Sequence, residues 1–284
     1  MRIGVKEIIH DFPKRLPYSH KGTYGKILNM AGSAYYAGAA ILSSLSALKV
    51  GAGYVTLACP ENIAAAVISY TPDITIFPLK SNGISSTSEN LDTLLKKAED
   101  YDVISIGSGL SDNPDTQKLI LDFLSKNDKP TVIDADALNA IAASGFTELN
   151  KNTIITPHPR EMSRLLNVET SEILSNREKY VLEAAKKFNC IAILKGKDTL
   201  VTDGEDIYTN KTGSSALAKA GTGDVLTGMI SGLLAQSKNS LYSAAAGVYL
   251  HGLTADIAEN LTTKYGLLAS ELIDCIPQSI MKIL

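Results

Sequence analysis

A chain of 284 residues with 45% hydrophobic and 20% charged residues has the composition of a globular protein able to bury a large core. Its 27 Lys and Arg against 30 Asp and Glu leave a formal net charge of −3, which argues against nucleic acid or an anionic membrane held by bulk positive charge. Cys59, Cys190 and Cys275 show neither metal-ligand nor disulfide spacing, the N-terminus has no signal-type apolar region, and no run reaches about 18 apolar residues, so the expectation is a cytoplasmic protein without a membrane span.

The first 25 residues are mixed and end in a glycine-bearing loop, His20 to Gly25. Ile27 to Ala31 reads as a short buried strand, and a helix follows from about Gly38 to Val50 with Ile41, Leu42, Leu45 and Leu48 as its apolar face. Tyr54 to Ala58 is the next strand and Glu61 to Ser69 the next helix; Ile74 to Phe77 is a strand and 88 to 98 a helix. Lys80 to Glu89, rich in Ser, Asn and Gly, is a surface excursion, because the βα alternation resumes after it.

Val103 to Ile106 then runs into Gly107-Ser108-Gly109, ahead of a helix over Thr116 to Leu124. Thr131 to Ile133 ends in Asp134-Ala135-Asp136, with Asp136 expected to cap a helix from Ala137. Thr153 to Ile155 ends in Thr156-Pro157-His158-Pro159, and Ile191 to Leu194 in Lys195-Gly196-Lys197-Asp198. Thr199 to Thr209 reads as a hairpin turning at Asp203-Gly204, and two helices, about 240 to 260 and 268 to 282, close the chain. Strands alternating with helices predict a mostly parallel sheet covered on both faces. The glycines, carboxylates and histidine gather at the strand ends, where open α/β sheets bind ligands.

The chain is organised around Thr212 to Gln236. Its second half is a helix with Val225, Leu226, Met229, Ile230, Leu233 and Leu234 along one face, and Gly228 and Gly232 allow close approach to a neighbouring backbone. Gly221 and Gly223 lie where a loop enters that helix, so free N–H groups and the dipole favour a phosphate there. Asp224, in the first turn, is held in its charged form by the same dipole, and is either a helix cap or a general base for a hydroxyl approaching that phosphate. Lys195 and Lys197 read as phosphate-facing charges or as solvated lysines of a turn. On the residues alone His158 reads as a helix cap and Glu161 as a first-turn helix acid.

Eight segments stand in one order: HKGTYGK at 20–26, NMAGS at 29–33, GAA at 38–40, GSGL at 107–110, DADALN at 134–139, TPHPREM at 156–162, LKGKDTLV at 194–201 and AGTGDVLTG at 220–228. On these the chain resembles, over essentially its whole length, the ribokinase-like superfamily and within it the ADP- or ATP-dependent NAD(P)H-hydrate dehydratases. The resemblance implies a three-layer ribokinase-like α/β domain over 1–284, without the epimerase domain fused to many relatives. It implies phosphorylation of the added hydroxyl of hydrated NADH or NADPH by ADP, or by ATP, then loss of the phosphate, with Mg2+.

By the same resemblance Ala39, Gly107, Gly109, His158 and Asp224 line the hydrated cofactor. Lys195, Gly196, Lys197, Asp198 and Thr199, with Gly221 and Gly223, hold the nucleotide; Asp224 is the catalytic base and Glu161 organises the metal. A homo-oligomer, a tetramer by family resemblance, and a separate epimerase acting alongside belong to the same expectation. Two departures from the family pattern, Ser111-Asp112-Asn113 after the glycine-rich strand end and Arg160 after His158-Pro159, fall beside the cofactor side of the site. The alternative reading is a kinase of the same superfamily acting on a vitamin-precursor alcohol; HKGTYGK and the His-Pro-x-Glu stretch favour the dehydratase.

Overall fold

The computed structural model describes residues 4–284. Among them nine strands form one sheet in the order β3-β2-β1-β4-β5-β6-β7-β8-β9. They are β1 Lys26–Met30, β2 Tyr54–Pro60, β3 Thr75–Leu79, β4 Val103–Ile106, β5 Thr131–Ile133, β6 Ile154–Ile155, β7 Ile191–Leu194, β8 Leu200–Thr202 and β9 Ile207–Thr209. Strands β1 to β7 pair in parallel; β8 and β9 are the antiparallel hairpin foreseen around Asp203-Gly204.

The helices are α1 Val5–His10, α2 Ala37–Lys49, α3 Glu61–Tyr70, α4 Leu91–Ala98, α5 Pro114–Lys126, α6 Ala135–Ser144, α7 Pro159–Leu166, α8 Thr170–Ser175, α9 Arg177–Phe188, α10 Thr222–Ser237, α11 Ser240–Thr262 and α12 Ala269–Met281. Side chains alternate across the strands, as the pleat requires. Leu28, Met30, Ile104, Ile106, Ile133, Ile155 and Leu194 join the core under α4, α5, α6, α7 and α9. Ile27, Val55, Val103, Val132, Ile154, Ile191 and Ile193 face the other way, towards α2, α10 and α11. The expected three-layer arrangement is therefore present. Among the described residues no helix is long and apolar enough to cross a membrane.

The seam between α2 and α10 positions the glycine-rich stretch. On α2 the buried residues are Ala40, Ser43, Ser44, Ser46 and Ala47, of which Ser43, Ser46 and Ala47 meet the seam, while Ile41, Leu42, Leu45 and Leu48 are only partly covered. The apolar face expected from the spacing is therefore not the side turned to α10. The reason for the reversal is on α10: a Cβ at Gly228 would lie 2.0 Å from Ser46 Oγ and 2.1 Å from the Ser43 carbonyl oxygen. One at Gly232 would lie 2.6 Å from the Ala47 carbonyl oxygen. Two backbones this close leave room only for small residues, so the leucines are pushed to the flanks. Ser43 and Ser46 turn their hydroxyls to carbonyls one turn back, at 2.8 and 2.7 Å, which satisfies them inside the seam.

Gly228→Ala must move backbone rather than a flexible side chain, and overpacking of this kind costs about 1–3 kcal/mol or more. Gly38→Ala, at an exposed helical position with nothing within 4 Å of the added Cβ, should instead gain about 0.4–1 kcal/mol. Urea unfolding midpoints of the two variants should move in opposite directions.

Candidate active site

The order of the strands reverses between β1 and β4, and such a switch point opens a crevice at the carboxyl ends. Here the Gly107 N–H donates to the Met30 carbonyl at 3.2 Å and the Gly32 N–H to the Ser108 carbonyl at 2.8 Å, sewing the two strand ends together. Gly107 has φ +128, and a Cβ there would lie 1.8 Å from the Asp134 carbonyl oxygen. A Cβ at Gly109 would meet the Ala39 Cβ at 2.9 Å. Ala39 and Gly109 thus form one small-residue wall, and Gly107 packs beneath it against the end of β5.

Asp134, which no local pattern marks for a role in the site, is central to it. It stands at the N-cap position of α6, yet its side chain makes no capping bond. Instead Oδ1 accepts from Lys195 Nζ at 2.7 Å and Oδ2 accepts from Thr227 Oγ1 at 2.7 Å. The side chains of Asp134 and Lys195 are only 3% and 19% exposed, so a buried ion pair links β5, β7 and α10. Asp136 does not cap a helix from Ala137, as was expected. The helix begins at Ala135, and Asp136 accepts the Ser111 N–H at 2.8 Å across to the loop after β4.

Lys195 is accordingly not a free charge on a turn. Burial pulls its pKa down, but Asp134 and Glu161 outweigh that and hold it above the ordinary lysine value. Its turn is braced by Arg177, which donates to the Leu194 carbonyl at 3.1 Å and to the Lys197 carbonyl.

Glu161 lies 3.9 Å from Lys195 Nζ and its carboxylate accepts the His158 N–H at 2.8 Å. Burial, the largest influence, pushes the Glu161 carboxyl up to about 7, against the pull of Lys195. His158 caps α7: Nδ1 accepts the N–H groups of Arg160 and Glu161 at 3.1 and 3.2 Å. Nδ1 is therefore unprotonated and the ring hydrogen sits on Nε2. Burial, and after it Lys195, lowers the His158 pKa and keeps the ring neutral. The cap uses Nδ1, while Nε2 lies 3.4 Å from Glu161 Oε1 at the edge of the cavity that His158 lines.

The Gly-Thr-Gly-Asp turn rests on this cluster. Gly221 is the left-handed N-cap of α10 at φ +89, and its Cβ position faces Leu42 and Ala269 rather than the cluster. A Cβ at Gly223 would lie 3.7 Å from Lys195 Nζ and 3.9 Å from Asp134 Oδ2.

Asp224 follows, partly buried, with its pKa raised to about 6. Desolvation is the main cause and Asp134 the next; the Ser108 hydroxyl and Lys195 pull it back down. The helix dipole expected to stabilise the carboxylate is therefore outweighed, though the group is still ionised above pH about 6. Ser108 Oγ is buried without a hydrogen bond of good geometry. Asp224 thus has Ser108, next to the Gly109–Ala39 wall, as one neighbour and Lys195 as another.

On the Lys195 side lies a cavity of about 770 Å3. His158, Gly223 and the whole run Lys195, Gly196, Lys197, Asp198 and Thr199 line it. The far wall, Asn210 to Ser215 with Leu217, Leu226, Val248, His251 and Lys264, was not foreseen. Only the tertiary fold brings α11 over the strand ends. Among the described residues no three His, Cys, Asp or Glu gather to hold a metal ion; the carboxylates nearest the phosphate-favouring turn are Asp224, within it, and Asp134, with Glu161 beyond Lys195.

A family model described as NAD(P)H-hydrate dehydratase matches residues 27–278. The bifunctional NAD(P)H-hydrate repair enzyme Nnr of Moorella thermoacetica is 37% identical over 270 residues, 93% of this chain and 51% of that protein. The chain thus spans about half the length of such bifunctional relatives. The ADP-dependent (S)-NAD(P)H-hydrate dehydratase of Bacillus subtilis is 35% identical over 268 residues, 94% of this chain and 92% of that protein. The structure also superposes with TM-score 0.84 on an ADP/ATP-dependent NAD(P)H-hydrate dehydratase from Bacillus subtilis co-crystallised with ATP/Mg2+, at 32% identity, covering 98% of this chain and 97% of the other.

The ion pair sets a stability prediction. Asp134→Asn leaves the Lys195 ammonium buried without its main partner and should cost about 3–5 kcal/mol. Adding Lys195→Met removes the stranded charge and should restore most of the loss. Urea titration of the single and double variants measures both.

Proposed function

The chain belongs to the NAD(P)H-hydrate dehydratase family, and from that premise we propose that it returns the S-form of hydrated NADH or NADPH to the intact cofactor with ADP, or ATP, as phosphoryl donor. The observation that carries this is the placement of Asp224. It lies between the small-residue wall of Ala39 and Gly109 and a cavity lined by Lys195 and Gly223.

In this reading the nucleotide occupies the 770 Å3 cavity, with its terminal phosphate at the start of α10, where free N–H groups and the dipole meet it. The hydrated ring lies against Ala39 and Gly109 with its added hydroxyl towards Asp224. Asp224 takes the hydroxyl proton as the oxygen attacks phosphorus; the bond to the leaving nucleotide, AMP when ADP is the donor, breaks. The new phosphate ester then departs as inorganic phosphate while the neighbouring ring carbon gives up a proton, which restores the ring double bond.

Lys195 supplies positive charge beside the transferring group, held in place by Asp134. His158 offers Nε2–H from a ring locked by its cap. Glu161, 3.9 Å from Lys195 Nζ, would be the carboxylate to hold a magnesium ion, which would neutralise phosphate charge.

Purified protein should release inorganic phosphate from ADP only in the presence of hydrated NADH or NADPH, and mass spectrometry should find the organic product at the unhydrated mass. A stable phosphorylated alcohol as end product would point to a kinase.

Asp224→Asn keeps the shape but not the proton acceptance, and should lower turnover by a factor on the order of 10²–10⁴. As a base Asp224 works deprotonated, so wild-type kcat/KM should climb with pH through about 6 and flatten above it. The sign for stability is opposite. The folded pKa lies above the ordinary aspartate value of 3.8, so the fold bears a cost once the group ionises. The Asn variant should then melt no lower than wild type at pH about 7–8.

A further inference from the structure

The far wall of the cavity, Asn210 to Ser215, has no regular secondary structure of its own between β9 and the 3-10 turn Ser215–Leu217. Four of its residues, Asn210, Thr212, Gly213 and Ser214, are nevertheless held by α11. Asn210 is buried and donates to the Val248 carbonyl at 3.1 Å. Thr212 donates its hydroxyl to the Tyr249 carbonyl at 2.8 Å, and only a glycine fits at 252, where a Cβ would sit 2.2 Å from that hydroxyl.

Gly213, at φ +94, points its N–H between both carboxylate oxygens of Asp256, at 3.2 and 3.1 Å. One turn along α11, Glu259 accepts from the Ser214 hydroxyl, which in turn accepts the Ala216 N–H at 3.2 Å and so starts the 3-10 turn. Two carboxylates beside a cavity for a polyanion are electrostatically unfavourable unless they do something else. Neither lines the cavity; both stand behind its wall and take up that wall's donors.

We propose that Asp256, assisted by Glu259, is a positioning residue for the nucleotide: it holds the Thr212–Ser215 wall in its binding shape before the nucleotide arrives. This rests on the reading of the cavity as the nucleotide site. A wall ordered in advance spares the ligand the entropy of ordering it. The contribution therefore falls on nucleotide affinity, while Asp224 and the ring wall, on the opposite side of the turn, are untouched.

The test combines ADP titration, steady-state kinetics and amide hydrogen exchange on the full chain. In wild type, ADP should slow exchange across 210–215; tight ADP binding without that protection would remove the cavity reading itself and the proposal with it. Given that protection, Asp256→Ala should speed exchange of those amides in the free protein and raise the ADP Kd and KM by about tenfold or more. Its kcat at saturating ADP should stay within about threefold of wild type. Asp256→Asn keeps one acceptor oxygen and should fall between the two, which covers the case of an alanine variant that folds poorly. ADP affinity within about twofold of wild type in both variants, or a fall in kcat with unchanged KM, would overturn the proposal.

Discussion

The buried pair of Asp134 and Lys195 is the contact on which the rest of the site depends. One carboxylate takes a lysine from the end of β7 and a threonine hydroxyl from α10, while its own backbone ends β5. Two charges out of water are stable only when each finds its partners, and here every Asp134 oxygen has one. The geometry of three separate elements is thereby reduced to one arrangement. Lys195 cannot move without stranding Asp134, and α10 cannot slide without losing Thr227. On the proposed reading, in which the site aligns a hydroxyl, a base and a phosphate, such rigidity is useful, because misplacement by about 1 Å costs much of the benefit of proximity.

The second constraint is steric. Gly228 and Gly232 bring α10 into backbone contact with Ser43, Ser46 and Ala47 of α2, which fixes the depth at which the first turn of α10 enters the crevice. At that depth Asp224 is near enough to Asp134 and far enough from water for its pKa to rise to about 6. The same burial that strains the carboxylate gives it a proton affinity suited to a base near neutral pH. Position on the helix, burial and electrostatics thus act as one device. Glu161 and Lys195 repeat the pattern on the other flank, with burial pushing the acid up and neighbouring acids holding the lysine charged.

The sequence was most readable where a local pattern leaves few alternatives. The βα alternation, the Asp203-Gly204 hairpin, the glycine entry to α10 and the two closing helices all appear where periodicity and turn chemistry put them. It was least readable where residues distant in the chain decide the outcome. Leu42 and Leu45 looked like the buried face of α2, and only a glycine seam nearly 190 positions away explains why serines lie there instead. Asp134 looked like one of two acids at a strand end; its role depends on Lys195, 61 residues later, and Thr227, 93 residues later. Nothing local marks Asp256 and Glu259 on their long helix; only the fold lays them behind the Thr212–Ser215 wall.

By itself, then, the sequence determined the layers of the fold, the edge of the sheet that carries the chemistry and the identity of the helix that presents Asp224. These follow from short-range stereochemistry and from the alternation of buried and exposed positions, which one chain segment carries within itself. The tertiary structure alone decided which acids meet which bases, which carboxyls are pushed up in pKa and where the cavity beside Lys195 is closed. Those outcomes depend on distances between side chains remote in sequence and on how much water the packed chain excludes around them, and no local segment holds either quantity.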